Sequence, residues 1–189
     1  VISHNLANVN TIGFKKSRAE FEDLMYQTSK MAGSITGTGG DQRIPTGIQV
    51  GLGVRPTAVH KFFSQGDYQN TNNALDLALE GDGFFQVEVN GELRYTRAGA
   101  FKLNQDGTVV TANGYILQPE FTVPAETKTI MVTENGHIAA LDSEGQELAA
   151  ADIPLYTFIN PAGLDSKGRN LYGTTEASGD ETEGVPGED

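Results

Sequence analysis

From Ile48 onward, apolar and polar positions alternate. Ile48, Val50, Leu52 and Val54 interleave with Gln49, Gly51, Gly53 and Arg55, the period of a strand with one buried face. Phe85, Val87 and Val89 alternate with Gln86 and Glu88, then Asn90-Gly91 leads into Leu93 and Tyr95. Two such runs around Asn-Gly predict a hairpin, because that dipeptide fits the tight turn matching strand twist. Asp106-Gly107, Asn113-Gly114 and Asn135-Gly136 repeat the device, and residues 108–111, 115–117, 129–132 and 153–159 read as further short strands. No helical period interrupts them and no fixed-length repeat is evident. The expected fold is mainly β: a sandwich- or barrel-like body of short antiparallel strands.

The first 47 residues follow other rules. Residues 1–7 suit a short helix. Asn8, Asn10 and Gly13 then mark a forced change of direction, since Asn and Gly accept left-handed backbone angles, and Phe14 follows as an apolar anchor. Over 14–27, Phe14, Phe21, Leu24 and Met25 would share one helical face, with Lys15, Lys16, Arg18, Glu20, Glu22 and Asp23 outside; an extended arm with a short helix fits equally well. Phe14 and Phe21 are expected to pack on the chain's own β body rather than on a neighbour. Lys15, Lys16 and Arg18 are expected either on a solvated face or paired with acidic neighbours. Periodicity vanishes over 28–47, a Gly/Ser/Thr-rich loop of a length that is normally disordered or functional. The organisation expected is an N-terminal arm with insertion (1–47), a β-rich core (48–175) whose first part is free to pack with the arm, and a flexible acidic end (176–189). The chain opens at Val1 in mid-pattern, and both ends read as cut.

Composition narrows the function. The 189 residues are 38% hydrophobic and include 23 Gly, which favours turns and thin layers over a deep core. Net charge is −12, which argues against nucleic acid, whose phosphates need Lys and Arg patches. Seven basic and four acidic residues lie in 1–66, whereas six basic and twenty-one acidic residues follow. Without cysteine there are no disulfides or thiolate metal sites. No apolar run is long enough for a membrane helix, and no signal-peptide pattern stands out.

Chemistry-bearing motifs are absent. His4, His60 and His137 are isolated in sequence, without metal-ligand spacing. Gly51-Leu52-Gly53 lacks the third glycine and following helix of a dinucleotide fingerprint, and Gly37-Thr38-Gly39-Gly40 lacks the Lys-Ser/Thr of a phosphate loop. Asn104-Gln105-Asp106-Gly107-Thr108 has the wrong later ligands for a calcium loop. Asp76, Glu80, Asp82, Glu88 and Glu92 show no spacing that selects a pair for acid–base work. Ser64 and Ser166 have no nucleophile-elbow context. The expectation is a non-enzyme with no cofactor and no metal.

Asn8-Val9-Asn10-Thr11-Ile12-Gly13-Phe14-Lys15, behind Asn5-Leu6-Ala7, resembles the signature of the bacterial flagellar axial family, the rod and hook subunits. Further blocks in the same order strengthen the resemblance: Gly53-Val54-Arg55-Pro56-Thr57, Phe63-Ser64-Gln65-Gly66, Thr71 to Leu79, Gly81 to Val87, Tyr95-Thr96-Arg97-Ala98-Gly99-Ala100-Phe101, Asp106-Gly107 and Gly114-Tyr115. Together they span nearly all of residues 1–175. Residues 26–47 resemble a rod-specific insertion that shorter hook subunits lack.

The resemblance implies a structural subunit of the distal rod that polymerises into a helical tube and transmits torque from motor to hook. It implies export by the flagellar secretion system, residence in the periplasm-spanning rod, and terminal helices that pair in the inner tube. Implied partners are further copies, proximal-rod and hook subunits and the surrounding ring bushing, with no nucleic acid and no membrane insertion. Asn5, Asn8, Asn10, Gly13, Phe14, Lys15, Lys16, Arg18 and Phe21 are the candidate turn and subunit-interface residues. Alternatives are a hook or proximal-rod subunit, an extracellular β-rich adhesin or carbohydrate-binding module, and a β-rich hydrolase.

Overall fold

The computed structural model describes residues 1–35, 43 and 45–187. It divides into two compact units, Val1–Ile2 with Ser17–Lys61, and Ser3–Lys16 with Phe62–Asp189.

The first unit is a two-stranded antiparallel ribbon. Strand β1 (Ser17–Asp23) and β2 (Tyr26–Lys30) run out, and β3 (Ile48–Gly51) and β4 (Val54–Lys61) return. β1 pairs with β4 from Ser17↔Lys61 to Asp23↔Val54, and β2 with β3 from Tyr26↔Gly51 to Lys30↔Ile48. Leu24 N–H to Gly53 O (2.9 Å) and Leu52 N–H to Met25 O (3.2 Å) carry the ladder across the joint. The register slips opposite Glu20/Phe21, where Pro56 has no N–H to donate. The alternative of a helix over 14–27 is therefore replaced by strand. The low-complexity stretch is strand at Thr28–Lys30, and its residues 36–42 and 44 lie outside the described residues.

No residue of β1–β4 is buried. The 48–54 alternation marks a strand as expected, but its apolar positions are exposed. Two strands make two faces, and among the described residues nothing within the unit forms a second layer over either.

The second unit begins with helix α1 (Ile2–Ala7, its first residue counted with the ribbon) and holds twelve strands. These are β5 (Phe85–Val89), β6 (Glu92–Thr96), β7 (Phe101–Leu103), β8 (Val109–Thr111), β9 (Ile116–Gln118), β10 (Thr129–Val132), β11 (His137–Leu141), β12 (Glu147–Asp152), β13 (Leu155–Thr157), β14 (Asp165–Gly168), β15 (Leu171–Gly173) and β16 (Thr182–Gly184). Seven form one sheet in the order β14-β15-β6-β5-β9-β8-β7; β10-β11-β12 form a meander, and β13 pairs with β16. The large sheet has free edges, so the body is open rather than a barrel.

One face of that sheet carries Phe85, Val87 and Leu117 into a core completed by Phe101, Val109, Ile138, Ala140 and Ile153. Phe84, Tyr95, Phe158, Leu164 and Tyr172 form a second apolar cluster, knitted by edge-to-face rings such as Tyr95–Phe158 at 4.9 Å. The acidic end, expected to be solvated and flexible, folds back: β16 pairs with β13, and Ser178 is fully buried with its hydroxyl donating to Thr175 O and Gly179 O.

Turn chemistry sets the register. Asn90 (φ 54°) and Gly91 (φ 82°) form a two-residue turn with both residues left-handed. The other three turns expected from sequence differ from that tight form. Gly107, Gly114 and Gly136 each donate N–H to the carbonyl three residues back (Asn104, Thr111, Thr133), with only the glycine left-handed, the wider loop ending in a glycine bulge. Gly145 in the β11–β12 loop does the same with Asp142.

Gly99 is held for space. Its carbonyl accepts from Leu77 N–H at 2.8 Å, and an added Cβ would sit 1.7 Å from Leu77 O. Gly99→Ala is expected to cost about 3 kcal/mol or more, because backbone must move, whereas Gly66→Ala, with nothing within 4 Å of its Cβ, stays within about 0.5 kcal/mol; urea denaturation of both variants checks this.

Tyr172 supplies a pH signature. Burial pushes its phenol up to about 12 from 10, with Arg97 opposing. A raised acid favours its neutral form in the fold, so its contribution is intact below pH 10 and is lost between pH 10 and about 12, roughly 2–3 kcal/mol in all. Tyr172→Phe is expected to flatten the fall in stability across that window, read as denaturation midpoint against pH.

Candidate functional site

The turn after α1 is built by side chains. Asn8 donates its backbone N–H (3.2 Å) and its side-chain Nδ2 (2.9 Å) to His4 O, closing the helix, while its Oδ1 accepts from Thr11 Oγ1 at 3.2 Å. Neither Asn8 nor Asn10 is left-handed; Gly13 alone among the expected residues is, at φ 72°. A Cβ at Gly13 would lie 2.8 Å from both Ala98 Cα and N, so the turn needs glycine for its angle and its closeness to the β6–β7 connection. Asn170 Nδ2 donates to Ile12 O at 2.9 Å, a second tie across 158 positions of sequence. Asn5 is half-buried and Asn10 exposed. Phe14 is half-buried, its ring 5.4 Å from His4.

The three cations separate. Lys15 is buried, and its Nζ donates to Ser64 O at 2.8 Å, with Phe63 O at 3.4 Å. Among the described residues it is neither on a solvated face nor paired with a carboxylate, which differs from both readings made from sequence. Lys16 is exposed, 6.0 Å above the Phe62 ring. Arg18, on β1, is exposed and pairs with Glu20 at 3.2 Å. Phe21, expected to pack on the body, is 64% exposed on the ribbon.

Arg97 is the organising residue that sequence reasoning passed over. Its Nη1 donates to Gly83 O (2.9 Å), and its Nη2 to Gly81 O (2.6 Å) and Gln65 Oε1 (2.9 Å). Gln65 in turn donates to Leu79 O at 2.9 Å. Burial lowers the Arg97 pKa, with Asp82 and two tyrosines opposing; burial also lowers that of Lys15, helped by Arg97 and opposed by Asp82. Lys15 and Arg97 thus hold the backbone carbonyls of Phe63, Ser64, Gly81 and Gly83, and Arg97 also holds the Gln65 side chain. They border a cavity of about 600 Å³ shared by the 9–15 turn, the 64–69 loop and residues 76–79.

This arrangement fixes loops rather than reacting groups. Among the described residues no cluster of His, Cys, Asp or Glu could hold a metal ion.

Arg97→Met would strip charge-assisted bonds from three acceptors, and about 2–4 kcal/mol of stability is expected to go with them. Arg97→Lys should recover only part, because an ammonium cannot span the fork that a guanidinium fills. Urea midpoints of both variants are the check.

The sequence comparisons agree with this geometry. Residues 78–140, which include β5–β10, match the family model described as the flagellar hook protein FlgE/F/G D1 domain. Over 189 residues the chain is 43% identical to the flagellar basal-body rod protein FlgG of Buchnera aphidicola subsp. Schizaphis graminum, covering 99% of this chain and 72% of that one. The FlgG of Caulobacter vibrioides is likewise 43% identical, over 100% of this chain and 72% of its own length. The flagellar hook protein FlgE of Helicobacter mustelae is 46% identical over 122 residues, 62% of this chain and 26% of that protein. The similarity to rod proteins runs through ribbon and body alike, and the chain belongs to the FlgG family of flagellar basal-body rod proteins.

Proposed function

We propose that this chain is a structural subunit of the flagellar distal rod that docks through its ribbon onto neighbouring subunits. The observation that carries this reading is the ribbon itself. Phe21, Met25, Val50, Leu52, Val54 and Val59 are all more than half exposed on paired strands with no core of their own. Apolar surface of that extent marks an interaction site. Burial at roughly 25 cal/mol per Å² would offset the cost of fixing two subunits together.

The mechanism is mechanical, with no catalytic step. Identical copies joined head-to-tail form an open helical tube when the rotation does not close, and load passes through many shallow contacts at once. The body supplies stiffness through its two apolar clusters, and the Lys15 and Arg97 ties hold the 8–16 turn against it. Asn5, Asn8, Asn10, Gly13 and Phe14 shape that turn, Lys15 anchors it, and Lys16, Arg18 and Phe21 present side chains to neighbours. The chain resides in the basal body after export by the flagellar system. Its neighbours are further copies, proximal-rod and hook subunits, and the ring bushing around the rod.

Phe21→Ser and Val54→Ser are expected to leave the stability of the isolated chain within about 0.5 kcal/mol, since both side chains are exposed, yet to abolish rod assembly and swimming in cells. Immunogold labelling of a tagged parent protein in isolated basal bodies gives the second check. Label along the distal rod supports the reading, and label along the hook contradicts it.

A further inference from the structure

We propose that a groove on the body, floored by Gln86 and flanked by Tyr156, Asp152 and Glu183, takes a cationic side chain, arginine or lysine, presented by residues 17–61 of a second copy of this chain. The inference rests on the assembly reading above and names one of its contacts. The groove is open and encloses about 600 Å³.

Its floor, Gln86 and Gln118, belongs to a row of polar residues across three paired strands. Tyr95 on β6, Gln86 on β5 and Gln118 on β9 lie side by side. Gln86 is only 7% exposed, and its Nε2 donates to the Tyr95 hydroxyl oxygen at 3.2 Å. Among the described residues nothing donates to the Gln86 Oε1, and it is not sealed from solvent. The Gln86 amide turns its nitrogen, not its oxygen, toward the Tyr95 hydroxyl. A nearly buried acceptor therefore faces the groove without a donor. Gln118 is not that donor; its Nε2 is committed to Glu88 at 2.9 Å.

The walls are equally one-sided. Asp152 and Glu183 line the groove, and among the described residues no lysine or arginine does. Glu183 sits directly across the β13–β16 pair from Tyr156. Burial first, and then the carboxylates Glu183 and Glu181, push the Tyr156 phenol upward. His137 meets one of these carboxylates: its Nδ1 lies 2.6 Å from Asp152 Oδ1 and its Nε2 4.0 Å from Glu147. It occupies one oxygen of Asp152 and leaves the Glu183 side unmatched. Pro119, Pro154 and Pro186 add apolar walls that lack N–H donors. A guanidinium or ammonium head could meet Oε1 and the carboxylates while its methylene stem lay along prolines and the Tyr156 ring.

Charge selects the occupant. The chain's basic excess lies wholly in 1–66, and everything after is strongly acidic. Within 17–61, Arg18, Lys30 and Arg55 are exposed on the ribbon strands. A copy approaching head-to-tail would bring this segment to a neighbour's acidic body, with like-charge repulsion disfavouring body-to-body contact.

The test uses two measurements. The ¹⁵N-labelled chain is titrated with the peptide acetyl-Gly-Arg-Gly-amide and with its neutral citrulline counterpart, following the Gln86 side-chain amide and Gly184 by NMR. The arginine peptide should shift both signals, and the citrulline peptide should not. Glu183→Gln should weaken binding roughly two- to fivefold, the range of one exposed charge pair. A photo-crosslinker placed at Gln118 in assembled rods should trap a second copy through residues 17–61. Equal shifts from both peptides, no shift at the groove, or crosslinks only to other segments would overturn the inference. Rods that form without that crosslink refute the groove contact alone, whereas absence of the chain from the rod refutes the assembly reading itself.

Discussion

A ribbon of two strands satisfies its backbone hydrogen bonds internally but cannot cover its own side chains. That constraint governs this molecule. β1 to β4 close a continuous ladder, so the ribbon forms without a neighbour, yet every apolar residue on it stays accessible. The body carries the whole buried core. The chain therefore folds as one unit with an interior and one without. The free energy left unrealised on the second is available only when something else is laid against it.

The body must then be rigid enough to bear load through shallow contacts. Two apolar clusters on opposite faces of one sheet supply part of this. The rest comes from buried cations bound to carbonyls. Lys15 and Arg97 are largely buried and lack a carboxylate within ion-pair distance among the described residues, so the backbone oxygens of Phe63, Ser64, Gly81 and Gly83 compensate them. Such ties act at fixed points and are strong because one partner is charged. They pin the 8–16 turn and the loops around it, which is the part of the body that carries the family signature.

What the sequence disclosed depended on how local each cause was. The hairpins were legible because glycine and asparagine act within four residues, although of the four expected turns only Asn90-Gly91 is a two-residue turn and the other three widen into bulges. β11 and β12 were not legible. His-Ile-Ala-Ala-Leu and Glu-Leu-Ala-Ala-Ala-Asp hold one β-branched residue, Ile138, and no Phe, Tyr or Trp between them, and tertiary packing of Ile138 and Ala140 overrides their alanine-rich composition. The 48–54 alternation gave the strand correctly and its burial wrongly, because period reports geometry and not what lies opposite. Gly13 could be read from its residue type. Lys15 could not, since its acceptors lie 48 and 49 positions away. Arg97 and Gln86 looked like ordinary polar positions in alternating strands until the fold placed acceptors around one and left the other facing a groove.

Hydrogen–deuterium exchange of the ribbon, compared between the isolated chain and purified rods, tests the central claim most directly. The account predicts that peptides from residues 17–30 and 48–61 exchange readily in the free chain and become strongly protected in the rod, with little change over β5, β6 and β9. Equal exchange of the ribbon in both states would contradict it.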